Sequence, residues 1–265
     1  MKNCVLYLLN TAQYDIIEFI NSVKTVESYF LKNNPSDILC FHESSLNPYL
    51  KEIQSYIKTP VLFQEIEFLI PEQNKHLSIP EIYYVEPNNA FPIGYRHMCR
   101  FFAGDIFNKE VLNNYEYFMR MDSDSFLLKE VNYNIFEFLK KNNKYYSYLE
   151  GSLDFDHPNA AKGLWSAADK WYENNKDICL KKPFNDIPEY MLYNTNFEIC
   201  NIKYFKESKY MDFFKYVDSL GGIYTQRWGD HIIKMLGVGM LFTDEQKHSI
   251  KDFGYKHGHL IIEGE

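Results

Sequence analysis

Residues 115–126 read YEYFMRMDSDSF, and the rest of the chain is best understood outward from them. Tyr115, Tyr117, Met119 and Met121 alternate with Glu116, Phe118 and Arg120, the period-2 pattern of a strand with two different faces. The strand runs directly into Asp122-Ser123-Asp124, so two carboxylates fall at its C-terminal end. In open α/β sheets that edge is where ligands bind, and paired carboxylates there offer hard oxygen ligands to a divalent cation carrying a phosphorylated substrate. The same tripeptide also suits a plain turn, in which Asp and Ser bond the local backbone. The local pattern admits both readings.

Toward the N-terminus, Cys4 to Leu9 is a short apolar run that predicts a first buried strand. Ile16, Ile17, Phe19, Ile20, Val23, Val26, Phe30 and Leu31 then recur at helical spacing until Asn33-Asn34-Pro35, and Asp37 to Phe41 predicts a second strand. Strand, helix, strand is the opening of a parallel, Rossmann-like sheet. A proline-containing region follows, with Val61 to Phe68 its best strand. Pro92 to Phe107 predicts a helix with Met98, Phe101, Phe102 and Ile106 on one face, and Arg96 and Arg100 four apart on another. Those arginines either reach a bound diphosphate or form a solvated or salt-bridged face.

Toward the C-terminus, Asn132 to Leu139 predicts a helix, Tyr145 to Leu149 a strand and Ala161 to Tyr172 a further helix. Tyr193 to Cys200 reads as extended and carries Glu198 between Phe197 and Ile199, pointing away from both, as a solvent-facing strand residue would. Tyr204 to Leu220 predicts one amphipathic helix, stopped by Gly221-Gly222. Trp228-Gly229-Asp230 opens the next helix, Ile232 to Leu236, where Asp230 is either its cap or an acidic site residue. The tail GYKHGH, residues 254–259, sets His257 and His259 in a flexible Gly-rich terminus, as ligands or as ordinary surface groups.

Length and composition allow one α/β domain over residues 1–265, with 46% hydrophobic residues and 22 Tyr plus 21 Phe to build its core. A net charge of -8, with no basic cluster, argues against nucleic acid or an anionic membrane as the main partner. A phosphate-bearing substrate would need a cation to offset that field. The five cysteines, at 4, 40, 99, 179 and 200, have no metal-finger spacing and read as buried free thiols. No apolar run is long enough for a transmembrane segment or a signal-peptide core, so a soluble, cytoplasmic chain is expected.

Taken in order, YRHMCRF (Tyr95 to Phe101), RMDSD (Arg120 to Asp124), NFEI (Asn196 to Ile199), LGG before RWGD (Arg227 to Asp230), and GYKH (Gly254 to His257) resemble the fungal α-1,2-mannosyltransferases of glycosyltransferase family 15. The resemblance spans nearly the whole chain and is weakest before about residue 80. It implies a GT-A type, Rossmann-like α/β/α fold with a mostly parallel sheet, a GDP-mannose donor, Mn2+, a glycan or glycoprotein acceptor, and transfer with retention of configuration. By position it implies that Asp122, Asp124 and His257 hold the metal, that Glu198 is the proposed nucleophile, that Asp230 is the acidic residue of a Trp-Gly-Asp motif and a catalytic candidate, and that Tyr95 lies at the donor and metal site. Arg96 and Arg100 are expected in the same donor pocket because their planar forks suit phosphate.

The sequence departs from the family pattern where RMDSD replaces a Glu-Pro-Asp form and where DHII follows RWG. Family members also carry an N-terminal anchor and stem that this sequence does not show. Two other functions fit the same residues: a sugar-binding module derived from such an enzyme, and a metal-dependent nucleotide-sugar hydrolase.

Overall fold

The strand Tyr115–Met121 lies fourth from one edge of a seven-stranded sheet. On one side of it run Lys2–Leu9, Asp37–His42 and Val61–Glu65, all parallel to it. On the other side Phe197–Asn201 pairs antiparallel, then Tyr146–Leu149 reverses again, and Lys247–Ile250 closes the edge parallel to its neighbour. The sheet is therefore mostly parallel, with one reversed strand, as expected for a GT-A type α/β fold. The computed structural model describes residues 2–265.

Helices cover both faces, which is what a parallel sheet with near-continuous apolar strands requires. On one face the helix Gln13–Tyr29 buries Phe19, Ile20, Val23 and Val26 against Met119, Met121, Phe197 and Ile199. On the other, the helices Ile93–Ala103, Tyr210–Ser219 and Asp230–Leu241 pack Phe102, Phe213, Ile233 and Leu236 around Phe118 and Cys200. The alternation read from residues 115–121 is thus between two buried layers. All five cysteines are free, and four are buried.

Three local expectations change. The helix predicted over Tyr204 to Leu220 is two, Ile202–Glu207 and Tyr210–Ser219. They part at Ser208, whose backbone is extended and whose Oγ accepts the Tyr210 N–H. The strand predicted over Tyr193 to Cys200 also breaks, because residues 194–196 turn at the sheet edge between Met191–Tyr193 and Phe197–Asn201. The tail is not loose: Tyr255–His257 pairs antiparallel with Ser125–Leu127 and with Leu260–Ile262, bringing His257 opposite Ser125. Among the described residues no helix is long and apolar enough to cross a membrane.

Candidate active site

The C-terminal ends of the parallel strands meet the start of the reversed strand at one edge, where the Asp122 N–H donates to the Asn196 carbonyl at 3.0 Å. Tail pairing delivers His257 to the same spot, with Nε2 3.1 Å from Asp124 Oδ1. Both side chains are partly open to solvent. The bond from His257 and its charge hold the Asp124 carboxyl below the usual range. Burial pulls the His257 pKa down, but Asp124 and Asp122 outweigh it and the imidazole is raised. Asp122 shares the edge without joining that pair: its Oδ1 accepts from Arg120 Nε at 2.9 Å. Of the three predicted metal ligands, two converge directly, and the third is engaged by an arginine.

Behind this edge lies a layer of buried charge. Arg120 and Glu198 are directly opposite each other across the antiparallel pair and face the same helix layer. Over them passes the helix Asp230–Leu241, whose Asp230 and Lys234, four apart, fall on one face. The charges match in reciprocal order. Arg120 Nη1 donates to Asp230 Oδ2 at 2.6 Å, and Lys234 Nζ donates to both Glu198 oxygens at 2.8 and 2.9 Å. Thr195 Oγ1 donates to the same Asp230 oxygen at 2.6 Å. Arg120 also lies over the Phe102 ring at 3.5 Å. Burial alone would raise the Asp230 pKa, but Arg120, His231 and Thr195 overcome it and hold the carboxyl well below its ordinary value.

This layer corrects two readings of the sequence. Asp230 does not cap its helix, since it makes no capping bond to the backbone and is spent on Arg120 and Thr195. Glu198 is not a solvent-facing strand residue: both it and Lys234 are 0% exposed. Period 2 correctly turned it away from Phe197 and Ile199, but the opposite face is also roofed by helices.

Beside the layer, Arg227 takes a left-handed backbone (φ 61), a conformation that costs a non-glycine residue about 1 kcal/mol or more. That geometry aims its guanidinium at Asp156, at the Tyr95 hydroxyl 3.2 Å away, and over the Phe91 ring at 4.3 Å. His231 Nε2 meets the same Asp156 at 2.9 Å. Tyr95 also lines a cleft of about 430 Å³ over the ends of the first two strands, with Asn10, Thr11, Glu43 and Met98. Met98 joins cleft to charge layer, because its sulfur accepts from Arg120 Nη2 at 3.8 Å. A larger groove of about 580 Å³ runs between two surface helices and shares Thr11 with the cleft, but it holds none of these charged groups.

Arg96 corrects the helix-face reading, and Arg100 follows its salt-bridged form. Arg96 is fully buried and donates to the carbonyls of Tyr224, Pro80 and Glu81, tying the short helix Gly222–Thr225 and the loop at 80–81 to its own helix. Arg100 forms a two-point bond with Asp218, at 2.9 and 3.0 Å. Neither is a solvated face, and neither bonds the Asp-x-Asp residues. Lys234, Asp156 and His231 escaped the sequence reading entirely. The one local signal for Lys234 was its spacing of four from Asp230, which acquires meaning only once Arg120 and Glu198 are known to lie side by side.

A family model described as Glycolipid 2-alpha-mannosyltransferase matches residues 1–262. The chain belongs to the glycolipid 2-alpha-mannosyltransferase family. Among members of this family it is similar to the Saccharomyces cerevisiae probable mannosyltransferase KTR3, 33% identical over 175 residues, covering 62% of this chain and 42% of that protein. It is 26% identical to the Candida albicans glycolipid 2-alpha-mannosyltransferase 1 over 267 residues, covering 92% of this chain and 60% of that protein. The chain thus spans about half the length of these curated relatives. In fold it matches the mannosyltransferase Ktr4p of S. cerevisiae with a TM-score of 0.83 at 20% identity, over 98% of this chain and 71% of that one. Core-mannan synthase A of Aspergillus fumigatus, solved in an Mn/GDP form, matches with the same score and identity over 98% and 76%.

Proposed function

We propose that this chain transfers a mannosyl group from GDP-mannose to an α-mannoside or related glycan acceptor, in a Mn2+-dependent reaction that retains anomeric configuration. The observation that carries the reading is the convergence of Asp124 and His257 at the sheet edge, beside Asp122 and a cleft lined by Tyr95. Family membership supports the sugar, and the Mn/GDP form of the Aspergillus relative supports the metal and the nucleotide.

The donor set fits the ion. Two atoms 3.1 Å apart have about the separation expected of adjacent ligands each roughly 2.1 to 2.2 Å from one cation. A mixed oxygen and nitrogen pair suits Mn2+ better than Mg2+. Among the described residues no three His, Cys, Asp or Glu side chains converge on one point, which leaves further positions to the donor's diphosphate oxygens. When bound, the cation offsets charge growing on the departing diphosphate.

The chain's own groups then divide the work. Asp124 and His257 would hold the cation, while Arg120 keeps Asp122 oriented at the edge. Tyr95, braced by Arg227 and Phe91, walls the donor cleft. A covalent glycosyl intermediate needs a carboxylate with a free oxygen able to reach the sugar. Glu198 is bonded through both oxygens to Lys234, and Asp230 to Arg120 and Thr195, in a layer closed to solvent. We therefore favour retention through acceptor entry on the leaving-group side, with Glu198 and Asp230 fixing the surrounding charges instead of attacking.

The test is a panel of nucleotide sugars with Mn2+, scored for diphosphate release with and without an α-mannoside. GDP release from GDP-mannose that requires the acceptor, with an α product by NMR of the anomeric proton, is the expected result. Release without acceptor would make the protein a hydrolase. Binding without release would make it a sugar-nucleotide-binding module, and a β product would discard retention.

A further inference from the structure

Asn196 bonds both Asp122 and His257 at the edge that carries Asp124. Its backbone carbonyl accepts the Asp122 N–H, and its side-chain Nδ2 donates to His257 Nδ1 at 2.9 Å. Its Oδ1 accepts from the Tyr255 hydroxyl at 2.9 Å, and that hydroxyl lies 2.7 Å from Ser125 Oγ. Tyr255 has a single hydroxyl hydrogen, which is used on Asn196, so Ser125 must donate to Tyr255. The three bonds then point the same way, from Ser125 through Tyr255 and Asn196 to His257, whose Nε2 lies 3.1 Å from Asp124.

That direction has a chemical consequence. An imidazole nitrogen that accepts from an amide carries no hydrogen, so in its neutral form His257 bears the proton on Nε2, facing Asp124. A cation held by Asp124 and His257 needs the Nε2 lone pair instead. Each link in the relay can reverse. The Asn196 amide can turn over so that Oδ1 accepts from Nδ1–H and Nδ2 donates to Tyr255. The Tyr255 hydrogen then turns to Ser125, and the Ser125 hydrogen to the Asn196 carbonyl 3.3 Å away. The partly exposed imidazole gives its Nε2 proton to solvent and takes one from solvent at Nδ1, so its charge is unchanged and no polar atom is stranded.

We propose that Asn196 is a positioning residue whose amide orientation sets the His257 tautomer, Nε2–H in the cation-free protein and Nδ1–H with the cation bound. This rests on the reading that His257 and Asp124 hold a divalent ion. It explains why an amide, and not a carboxylate, stands between Tyr255 and His257: an ionised carboxylate has no hydrogen to give to Nδ1, whereas the amide offers a donor and an acceptor that exchange by one rotation.

Long-range 1H–15N NMR of the imidazoles, at a pH where His257 is neutral, reads the tautomer directly. Mn2+ binding in the presence of saturating GDP is read separately by electron paramagnetic resonance. Metal-free wild type should show His257 as Nε2–H. Asn196→Asp, which can only accept, should convert it to Nδ1–H and keep Mn2+ affinity within a few-fold. Asn196→Leu should lose the restraint and weaken Mn2+ by roughly 10 to 100-fold, the usual scale for a partner of a metal-bound histidine. A metal-free wild type already in the Nδ1–H form overturns the proposal without any variant, as does equal loss of affinity in Asp and Leu variants. Wild type that binds no Mn2+ overturns the metal reading and the amide turnover with it, while the metal-free tautomer is still judged by its spectrum.

Discussion

Two carboxylate and base pairs flank the central strand Tyr115–Met121 and its antiparallel neighbour, and they have opposite characters. Glu198 and Lys234 are 0% exposed and bonded through every carboxylate oxygen, whereas Asp124 and His257 are 39% and 28% exposed and joined by a single contact. Both carboxylates sit on or just after sheet strands, and both were candidates for chemistry on sequence grounds. The difference lies in the covering. A helix roofs the first pair, and the open edge of the sheet leaves the second free to exchange its partner for an ion. A buried ion pair is costly to assemble and costlier to break, so the inner pair fixes geometry while the outer pair can turn over with ligand.

The largest effect should come from breaking the inner pair on one side. Lys234→Met leaves the Glu198 charge without its partner in the core and should cost about 3 to 5 kcal/mol in urea unfolding, whereas Glu198→Met with Lys234→Met should recover most of that loss. A single-variant cost below about 1 kcal/mol would mean that solvent reaches Glu198, and the contrast between the pairs would collapse.

The same pair can be tested through activity. Glu198→Gln should lower transfer by roughly 100 to 1000-fold, the scale of a displaced electrostatic group. The paired Met variant keeps the net charge of the layer and should bring transfer back to within about tenfold of wild type. If it folds normally yet stays as slow as Glu198→Gln, Glu198 does reach the sugar and belongs with the outer pair.

At the outer pair, His257→Ala should weaken Mn2+ by roughly 10 to 100-fold while changing stability by less than about 1 kcal/mol. His259, two residues on and past the end of its strand, should do neither when replaced by Ala. Calorimetric titration with Mn2+ and GDP decides between them, and a reversal of the two histidines would move the metal away from Asp124.

The smallest effect concerns the intermediate case, His231 with Asp156, which is nearly enclosed yet touches Arg227, the partner of the cleft's Tyr95. Burial lowers the His231 pKa, but its bonds to Asp156 and Asp230 prevail and it is raised, while Asp156 is lowered to about 2 against its own burial by His231 and Arg227. A raised histidine contributes stability that is complete below its ordinary value near 6.5 and lost as pH rises through the folded value. The depressed Asp156 contributes above about 3.8 and is lost as pH falls toward 2. The melting-temperature gap between wild type and His231→Gln should therefore be widest between about pH 4 and 6.5, by a few degrees, and narrow above it. A gap unchanged up to pH 9 would show that the pair's charge plays no part.

How far the sequence reaches is visible residue by residue. Strand and helix periods are local properties, so the order of elements, the mostly parallel sheet and the Asp-x-Asp at a strand end could be read from the chain, and ordered motifs pointed to the family. The same periods say which face a side chain leaves but not what lies over that face. Glu198 was turned the right way and assigned to solvent, because only packing reveals the helix above it. Arg96 looked like a surface cation because its three carbonyl partners come from residues as far apart as Pro80 and Tyr224. Asn196 entered only as the first residue of NFEI, with no role, until tail pairing brought His257 to its amide. Burial and pairing between distant residues depend on how elements pack, and neither has a period along the chain. Local sequence therefore determined the elements and the family, and tertiary packing alone decided which charged groups are locked away and which remain free to bind.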